Sequence, residues 1–175
     1  VVIYDYTEIG DNVTIHANSV IGADAYYFQR RSEGYVKMQS CGRVIIESDV
    51  EIGACCTIDK GVSGDTIIGE GSKLDNQVHI GHGVVIGKNC LLAAQVGIAG
   101  KTILGNDVIL WGQVGVSKSL TIGDKAVVLA QSGVAKSIAG GKAYFGSPVQ
   151  EARAKMKELA IIKHLPKLWD KLKKM

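Results

Sequence analysis

An aliphatic residue recurs at every sixth position through the second half of this sequence, and this spacing restricts the fold more than any other feature. An α-helix repeats every 3.6 residues and a strand every two, so neither an amphipathic helix nor a hairpin ladder has this period. Hexapeptide units instead form short strands and turns, and three of them close one coil of about 18 residues. The twelve positions are Ile68, Leu74, Ile80, Ile86, Leu92, Ile98, Leu104, Leu110, Val116, Ile122, Val128 and Val134.

The same register is present nearer the amino terminus, at Ile3, Ile9, Ile15 and Ile21 and again at Ile46, Ile52 and Ile58. Residues four positions later are small or branched, as a narrow interior needs when each coil stacks on the next. The sequence therefore predicts an all-β fold. We expect a left-handed parallel β-helix of hexapeptide repeats over residues 1–140 and a C-terminal α-helical extension over residues 141–175.

Two segments leave the register and predict loops that project from the coil, at about residues 24–43 and 59–65. Loops on a rigid scaffold often carry binding residues. The first loop also holds four aromatic side chains, and these rings could either pack on a neighbouring surface or contact a ligand. They are Tyr26, Tyr27, Phe28 and Tyr35.

The repeat ends after Val134, and a capping-box pattern of Ser147, Pro148 and Gln150 predicts that a helix begins there. Pro166 should break or kink that helix before a second basic piece. The helix would carry an apolar stripe that needs a partner, formed by Val149, Ala152, Met156, Leu159 and Ala160.

The net charge is +3, but residues 151–175 hold eight Lys and Arg against three Asp and Glu, so the basic character lies in the tail. The length fits one domain with an appendage. No segment has a signal-peptide pattern or an apolar run of about 18 residues, so we expect a cytoplasmic protein. The four cysteines, Cys41, Cys55, Cys56 and Cys90, lack metal-site spacing, and we interpret Cys56 and Cys90 as core residues.

The sequence begins in the middle of a repeat at Val1, without an initiator Met or a segment to cover the first coil. An uncovered coil end exposes strand edges and apolar interior, which stable proteins avoid. We therefore expect the chain to be part of a longer protein.

His82 is the strongest candidate for chemistry among four histidines. It lies two residues after Ile80, between Gly81 and Gly83, so it should project from a coil corner. A neutral imidazole there has a suitable pKa to act as a general base. His79, directly before Ile80, should lie on an outward face.

The residues around His82 carry a specific resemblance. The segment from Asp75 to Gly87, together with residues 50–61 and 20–24, is similar to the UDP-3-O-acylglucosamine N-acyltransferases of lipid A biosynthesis. In that family a uridine-binding domain precedes the coil, and three subunits place active sites in the clefts between neighbouring coils. The resemblance implies a homotrimer that moves a (3-hydroxy)acyl chain from acyl carrier protein to the 2-amine of a UDP-sugar.

The resemblance assigns His82 as the base and the backbone N–H of Gly100 as the donor that stabilises the oxyanion. Gly100 follows His82 by 18 residues, which is one coil. No metal and no cofactor is implied, since the carrier protein's phosphopantetheine thioester is a co-substrate. The substrate-binding residues implied are Asp75, Asn76, Gln77 and His79. Asp75 could equally be a turn residue that bonds its own backbone.

Two positions depart from the family pattern. Lys118 and Ser119 stand where a second His is frequent, and His79 stands where Gln is found, which puts the phosphate or pantetheine contacts in doubt. Basic side chains near the C-terminus could attract the acidic carrier protein. The candidates are Lys136, Arg153, Lys155 and Lys157.

Three alternatives remain open. The first is an acetyl-CoA-dependent acetyltransferase on the same coil. The second is a zinc site like that of carbonic anhydrase, for which His79 and His82 lack a third ligand nearby. The third is a non-catalytic trimeric scaffold.

Overall fold

The computed structural model describes residues 1–173, apart from the side chains of residues 167, 168 and 171, and consists of short strands followed by two helices. The strands are β1 (Val2–Ile3), β2 (Glu8–Ile9), β3 (Thr14–Ile15), β4 (Val20–Ala23), β5 (Phe28–Arg31), β6 (Gly34–Lys37), β7 (Val44–Ile46), β8 (Glu51–Ile52), β9 (Thr57–Asp59), β10 (Thr66–Ile68), β11 (Lys73–Leu74), β12 (His79–Ile80), β13 (Val85–Ile86), β14 (Leu91–Leu92), β15 (Gly97–Ile98), β16 (Ile103–Leu104), β17 (Ile109–Leu110), β18 (Gly115–Val116), β19 (Thr121–Ile122), β20 (Val127–Val128), β21 (Gly133–Val134), β22 (Ala143–Phe145) and β23 (Gln150–Glu151). The helices are α1 (Ala152–Ile162) and α2 (Leu165–Leu172).

The strands form three sheets that make the three sides of a coil. The first sheet has the order β1-β4-β9-β12-β15-β18-β21, the second β19-β16-β13-β10-β7-β2, and the third β23-β22-β20-β17-β14-β11-β8-β3. Apart from the antiparallel pair β22 and β23, pairing within these sheets is parallel and joins neighbouring coils, so His79 lies beside Gly97 and Ile80 beside Ile98. The predicted left-handed parallel β-helix of hexapeptide repeats is confirmed. The third sheet continues past residue 140, because β22 still pairs in parallel with β20.

The aliphatic residues of the six-residue register fill the interior of the coil. Ile58, Ile80 and Ile98 stack on the first side with no exposed surface. Cys56 and Cys90 are buried among these residues, and burial raises the pKa of both thiols. They therefore serve as small core residues, as interpreted from the sequence.

One corner of the coil carries a row of stacked glutamines, which we call the glutamine ladder: Gln77, Gln95, Gln113 and Gln131. From Gln95 onward, the amide nitrogen of each glutamine donates to the amide oxygen of the glutamine one coil earlier, at 2.8, 2.7 and 2.9 Å. The backbone φ of all four residues is near +60°. Gln95 and Gln113 each donate one amide hydrogen bond and accept another, and all of these bonds lie within the ladder.

The first loop contains an antiparallel hairpin of β5 and β6, which projects beside the first sheet. Its base is fixed to the coil by Asp24, whose carboxylate accepts from Lys37 at 2.8 Å and pairs with Lys60 at 3.1 Å. These two lysines, Lys37 foremost, hold the pKa of Asp24 below its ordinary value. The hairpin therefore has a defined position relative to the coil.

The predicted helix start at residues 147–150 is wrong. Gln150 pairs antiparallel with Phe145 and Glu151 with Tyr144, so this backbone is extended, and α1 begins at Ala152 after Glu151. Val149 donates its N–H to the Gly133 carbonyl at 2.9 Å and is almost fully buried. The segment covers the apolar end of the last coil, and this tertiary contact outweighs the local capping pattern.

The rest of the predicted stripe is largely uncovered, since Met156 and Leu159 remain exposed while Ala152 is buried. The break between α1 and α2 falls at residues 163–164, directly before Leu165 and Pro166. In the part of the chain that the structure describes, neither helix has the length and apolar character needed to cross a membrane.

Candidate active site

A cavity of about 1280 Å³ opens between the first sheet and the hairpin of the first loop. Outward positions of the sheet line it, including Gly97 and Gly115, and Tyr27 and Phe28 line it from the hairpin. Neither glycine has any atom within 4 Å of the place where a Cβ would lie, so both leave open space. His82 lies in the same cavity. The predicted base therefore has room for a substrate beside it.

The backbone turn that carries His82 is held at both ends. The His82 carbonyl accepts the N–H of Lys101, one coil on, at 2.9 Å. Gly83 has a φ of +65° and donates its N–H to the hydroxyl of Thr66 at 2.8 Å. That hydroxyl, fully buried, donates in turn to the carbonyl of Asp59 at 2.7 Å. The turn is thus fixed independently of the contacts that the imidazole itself makes.

The imidazole of His82 lies against Gly100, in the volume that a side chain at residue 100 would occupy. A Cβ there would be 2.5 Å from Nε2 and 2.7 Å from Cδ2 of the ring. The ring of Tyr27 contacts the imidazole edge to face, with centroids 5.5 Å apart and planes at 74°. Nδ1 is buried and has no hydrogen-bond partner among the described residues. Nε2 is therefore the nitrogen available to a substrate.

Burial lowers the pKa of His82, and the positive charge of Lys101 lowers it further. The carboxyl group of Asp59 acts in the opposite direction on the same pKa. Since an ordinary histidine titrates near 6.5, the net shift leaves the imidazole neutral at pH 7. A neutral imidazole is the form that can accept a proton.

His79 and Asp59 add two titratable groups to the cavity. His79 projects from β12, and its Nδ1 lies 2.8 Å from the hydroxyl of Thr57 on the neighbouring strand. Asp59 is only 8% exposed, and burial raises its pKa against the opposing charge of His79. Thr57 engages one ring nitrogen of His79, which leaves the other for a polar ligand.

The structure places Gly100 one coil from His82 within the same chain, as its 18-residue spacing requires. Its N–H donates no hydrogen bond to any described residue, whereas the neighbouring N–H groups of Ala99 and Lys101 are both paired. A backbone donor beside Nε2 of His82 can stabilise negative charge that develops on a bound carbonyl. Lys101, Lys118 and Ser119 line the same side of the cavity.

Three of the predicted substrate-binding residues do not lie in this cavity. Asp75 accepts the N–H of Asn76 at 2.7 Å, a bond of the kind that a turn Asp makes. The Asn76 side chain accepts the N–H of Ala54 at 2.7 Å, and Gln77 belongs to the glutamine ladder. Asp75 and Asn76 line a separate depression next to Trp111. Within one chain, only His79 of the four is beside His82.

The predicted carrier-binding residues differ in their surroundings. Lys136, Arg153 and Lys157 are exposed. Lys155 is partly buried and pairs with Glu158 at 2.9 Å, so its charge is already neutralised. Three of the four therefore present free positive charge on the surface.

Sequence reasoning missed the roles of Asp59, Thr57 and Tyr27 in the cavity. Asp59 and Thr57 flank the register residue Ile58, and the pairing of β9 with β12 brings them next to His79 and His82. The six-residue period could have placed them there. For Tyr27, the sequence signalled only a cluster of aromatic residues. Within the described residues, no group of three or more His, Cys, Asp or Glu is arranged to hold a metal ion.

Known proteins share the hexapeptide repeat that carries this cavity. The family model described as bacterial transferase hexapeptide (six repeats) matches residues 65–100, which include both His82 and Gly100. The UDP-3-O-acylglucosamine N-acyltransferase 1 of Nitrobacter winogradskyi is 58% identical over 79 residues, which are 45% of this chain and 22% of that protein. The UDP-3-O-acylglucosamine N-acyltransferase of Polynucleobacter asymbioticus is 51% identical over 87 residues, 47% of this chain and 24% of that protein. The matched segments are thus only about a fifth to a quarter of these relatives' length.

Solved structures share the fold. The UDP-N-acetylglucosamine O-acyltransferase of Moraxella catarrhalis superposes with a TM-score of 0.72 at 26% identity, covering 96% of this chain and 73% of that one. An acyltransferase for UDP-N-acetylglucosamine from Bacteroides fragilis, at 24% identity and a TM-score of 0.77, covers 86% of this chain and 57% of that one and supports the fold alone. Over its hexapeptide region, this chain is related to the UDP-3-O-acylglucosamine N-acyltransferases, as the segment from Asp75 to Gly87 indicated.

Proposed function

We propose that the protein is an N-acyltransferase that moves an acyl chain from the thioester of acyl carrier protein to the 2-amine of a UDP-3-O-acylglucosamine. The observation that carries this proposal is the position of His82. Its imidazole lines a cavity of about 1280 Å³ and packs against Gly100, whose N–H donates to no described residue. A base and an oxyanion donor from adjacent coils of one cavity are what acyl transfer to an amine requires.

The reaction follows from this pair. The neutral amine attacks the thioester carbonyl carbon, and Nε2 of His82 accepts the proton that the nitrogen loses. The N–H of Gly100 donates to the carbonyl oxygen while it carries negative charge. The C–S bond then breaks, the imidazolium returns the proton to the departing sulfur, and the products are the amide and the carrier protein's free thiol. His82 ends the cycle neutral, as its lowered pKa favours.

Both substrates carry phosphate, and the cavity offers two lysines for it. Lys101 and Lys118 come from successive coils beside Gly100, and Ser119 lies next to them with a hydroxyl donor. We assign to these side chains, and to the free ring nitrogen of His79, the phosphate and polar contacts that a second His often supplies in the related family. This assignment accounts for both departures of the sequence from the family pattern.

The proposed assembly is a homotrimer. Exposed Leu91, Ile103 and Trp111 lie on the sides of the coil, and Met156 and Ile161 on α1 are also uncovered. A partner coil would bury such surfaces. Since Asp75 and Asn76 are separated from His82 within one chain, their proposed contact with the sugar requires a neighbouring subunit. Exposed Lys136, Arg153 and Lys157 would attract the acidic carrier protein.

A comparison of two acyl donors tests the function. The protein is incubated with UDP-3-O-acylglucosamine and either a 3-hydroxyacyl thioester of acyl carrier protein or acetyl-CoA, and N-acylated product is measured. We expect turnover with the carrier-protein thioester and little with acetyl-CoA. Turnover with acetyl-CoA alone would establish the acetyltransferase instead, and binding of the UDP-sugar without turnover of either donor would support a scaffold.

A further inference from the structure

A general base works only if its ring is held in one orientation. In many active sites a hydrogen bond to the second ring nitrogen does this. His82 differs, because its buried Nδ1 has no hydrogen-bond partner among the described residues. The orientation of the imidazole must therefore come from packing.

The residues on either side of His82 in the sequence have no side chains that could provide this packing. Gly81 and Gly83 flank it, and Gly100 meets the ring with backbone atoms alone. The ring that contacts the imidazole is Tyr27, in an edge-to-face arrangement at 5.5 Å and 74°. This is the geometry that aromatic pairs prefer. Gly100 limits movement of the imidazole toward the coil, and Tyr27 limits its rotation within the cavity.

Tyr27 is itself well held, although it comes from a loop. Its carbonyl accepts the N–H of Met38 at 2.9 Å, and its N–H donates to the carbonyl of Ala25 at 2.8 Å. Ala25 is 1% exposed and donates its own N–H to the hydroxyl of Ser40 at 3.0 Å. The neighbouring Asp24 is fixed by two lysines. Because its backbone is held in this way, the ring of Tyr27 can restrict the movement of the His82 imidazole.

We propose that Tyr27 is a positioning residue, which holds the imidazole of His82 in its productive orientation and keeps water from its Nδ1 face. This role assigns to the first loop a part in catalysis through packing, independent of any ligand contact. It rests on the proposed function only in that His82 acts there as the base.

Three variants separate ring packing from other effects. Tyr27→Phe keeps the aromatic edge and loses the hydroxyl, while Tyr27→Ala removes the ring. Val36→Ala is the control, because Val36 is an exposed residue of the same hairpin and does not line the cavity. Circular dichroism and thermal unfolding of each variant establish that the fold is retained.

The first readout is independent of substrate. In the whole chain, the ring resonances of His82, assigned by comparison with His82→Gln, are followed by NMR against pH. The charged and titratable groups that share the cavity with His82 are Lys101, Lys118, Asp59, His79, Tyr26 and Tyr35, besides Tyr27 itself, and all but Tyr27 are unchanged in these variants. We expect Tyr27→Ala to raise the pKa of His82, since the ring becomes more hydrated, and to change its ring shifts. Tyr27→Phe and Val36→Ala should match the wild type.

The second readout is acyl transfer. Because a misplaced group costs up to about 100-fold in rate, Tyr27→Ala should lower kcat by roughly tenfold or more with a small change in KM. Tyr27→Phe should restore kcat, and the acidic limb of kcat/KM should move to higher pH in Tyr27→Ala alone. If the wild type transfers no acyl group, the proposed function fails while the NMR comparison still tests Tyr27. A Tyr27→Ala variant whose His82 titration and shifts match the wild type would overturn the inference.

Discussion

Two corners of the same coil have nearly the same backbone and very different side chains. At the glutamine corner, the turns at residues 94–95 and 112–113 end in Gln95 and Gln113, whose φ values are 63° and 60°. At the histidine corner, the turns at 100–101 and 118–119 end in Lys101 and Ser119, with φ values of 62° and 59°. The local fold therefore does not distinguish the two corners.

Hydrogen bonding distinguishes them. Each inner glutamine of the ladder has its donor and its acceptor engaged by the next coil. At the histidine corner, Nδ1 of His82 has no partner within residues 1–173, whereas an N–H without a described partner, as at Gly100, also occurs at Ala94 and Gly112 of the glutamine corner. Satisfied side chains stabilise the coil, whereas the imidazole of His82, which belongs to no such ladder, offers its Nε2 to a reacting molecule. The same repeat thus forms one corner that stabilises the coil through the glutamine ladder and another that carries the candidate catalytic His82.

The largest effect should come from adding one methyl group at equivalent positions of the two corners. A Cβ on Gly100 would lie 2.5 Å from the imidazole, but one on Gly112 would lie 3.5 Å from its nearest neighbour, the carbonyl oxygen of Ala94. We expect Gly100→Ala to displace His82 and to lower kcat by about 100-fold. Gly112→Ala should leave the rate unchanged and should not lower the free energy of unfolding.

Kinetics and denaturant unfolding of both variants check this expectation. Neither glycine has a positive φ, so backbone strain does not enter the comparison. Equal rates for Gly100→Ala and Gly112→Ala would show that close packing of His82 on residue 100 is unimportant.

A smaller effect is expected at the glutamine corner, on stability alone. Gln95→Ala removes two hydrogen bonds of the ladder, and Gln131→Ala, at the end of the ladder, removes one. We expect a loss of about 1 kcal/mol in the free energy of unfolding for Gln95→Ala and roughly half of that for Gln131→Ala. Acyl transfer should stay at the wild-type rate. A rate loss in Gln95→Ala without a stability loss would contradict the division between the corners.

The smallest effect concerns the charge of Lys101 on the histidine corner. Lys101 lowers the pKa of His82, so Lys101→Met should raise that pKa. Because only the neutral imidazole is a base, the acidic limb of kcat/KM should move to higher pH, while loss of the proposed phosphate contact lowers the plateau without itself moving that limb. Lys125→Met, at an equivalent turn residue of another corner, is the matched control. An unchanged limb in Lys101→Met would show that this charge is screened.

The sequence predicted the coil well because every hexapeptide repeats one local pattern and each coil contacts only its neighbours. The 18-residue length of one coil likewise predicted that Gly100 lies next to His82. The prediction of a helix start at residues 147–150 failed, because the capping pattern depends only on neighbouring residues. The burial of Val149 on the last coil depends on tertiary contacts.

The candidate site was predicted only in part for a similar reason. His82 was recognisable from its flanking glycines and from the segment around it. Tyr27 could not be placed from the sequence, and the sequence left Asp75 open between a sugar contact and a turn. A loop of unknown path determines where Tyr27 lies, and the turn hydrogen bond of Asp75 to Asn76 competes with a ligand. Periodicity fixes positions along the coil, but it does not fix contacts made by segments that leave it.

The most direct measurement is the rate of N-acylation by His82→Ala, with saturating carrier-protein thioester and UDP-3-O-acylglucosamine, compared with the wild type. We expect a fall of about 10²–10⁴-fold in kcat, the usual effect of losing a general base, with little change in thermal stability. Gln113→Ala, at the other corner, should retain the wild-type kcat. A His82→Ala variant that turns over within a few-fold of the wild type would contradict the assignment of His82 as the base.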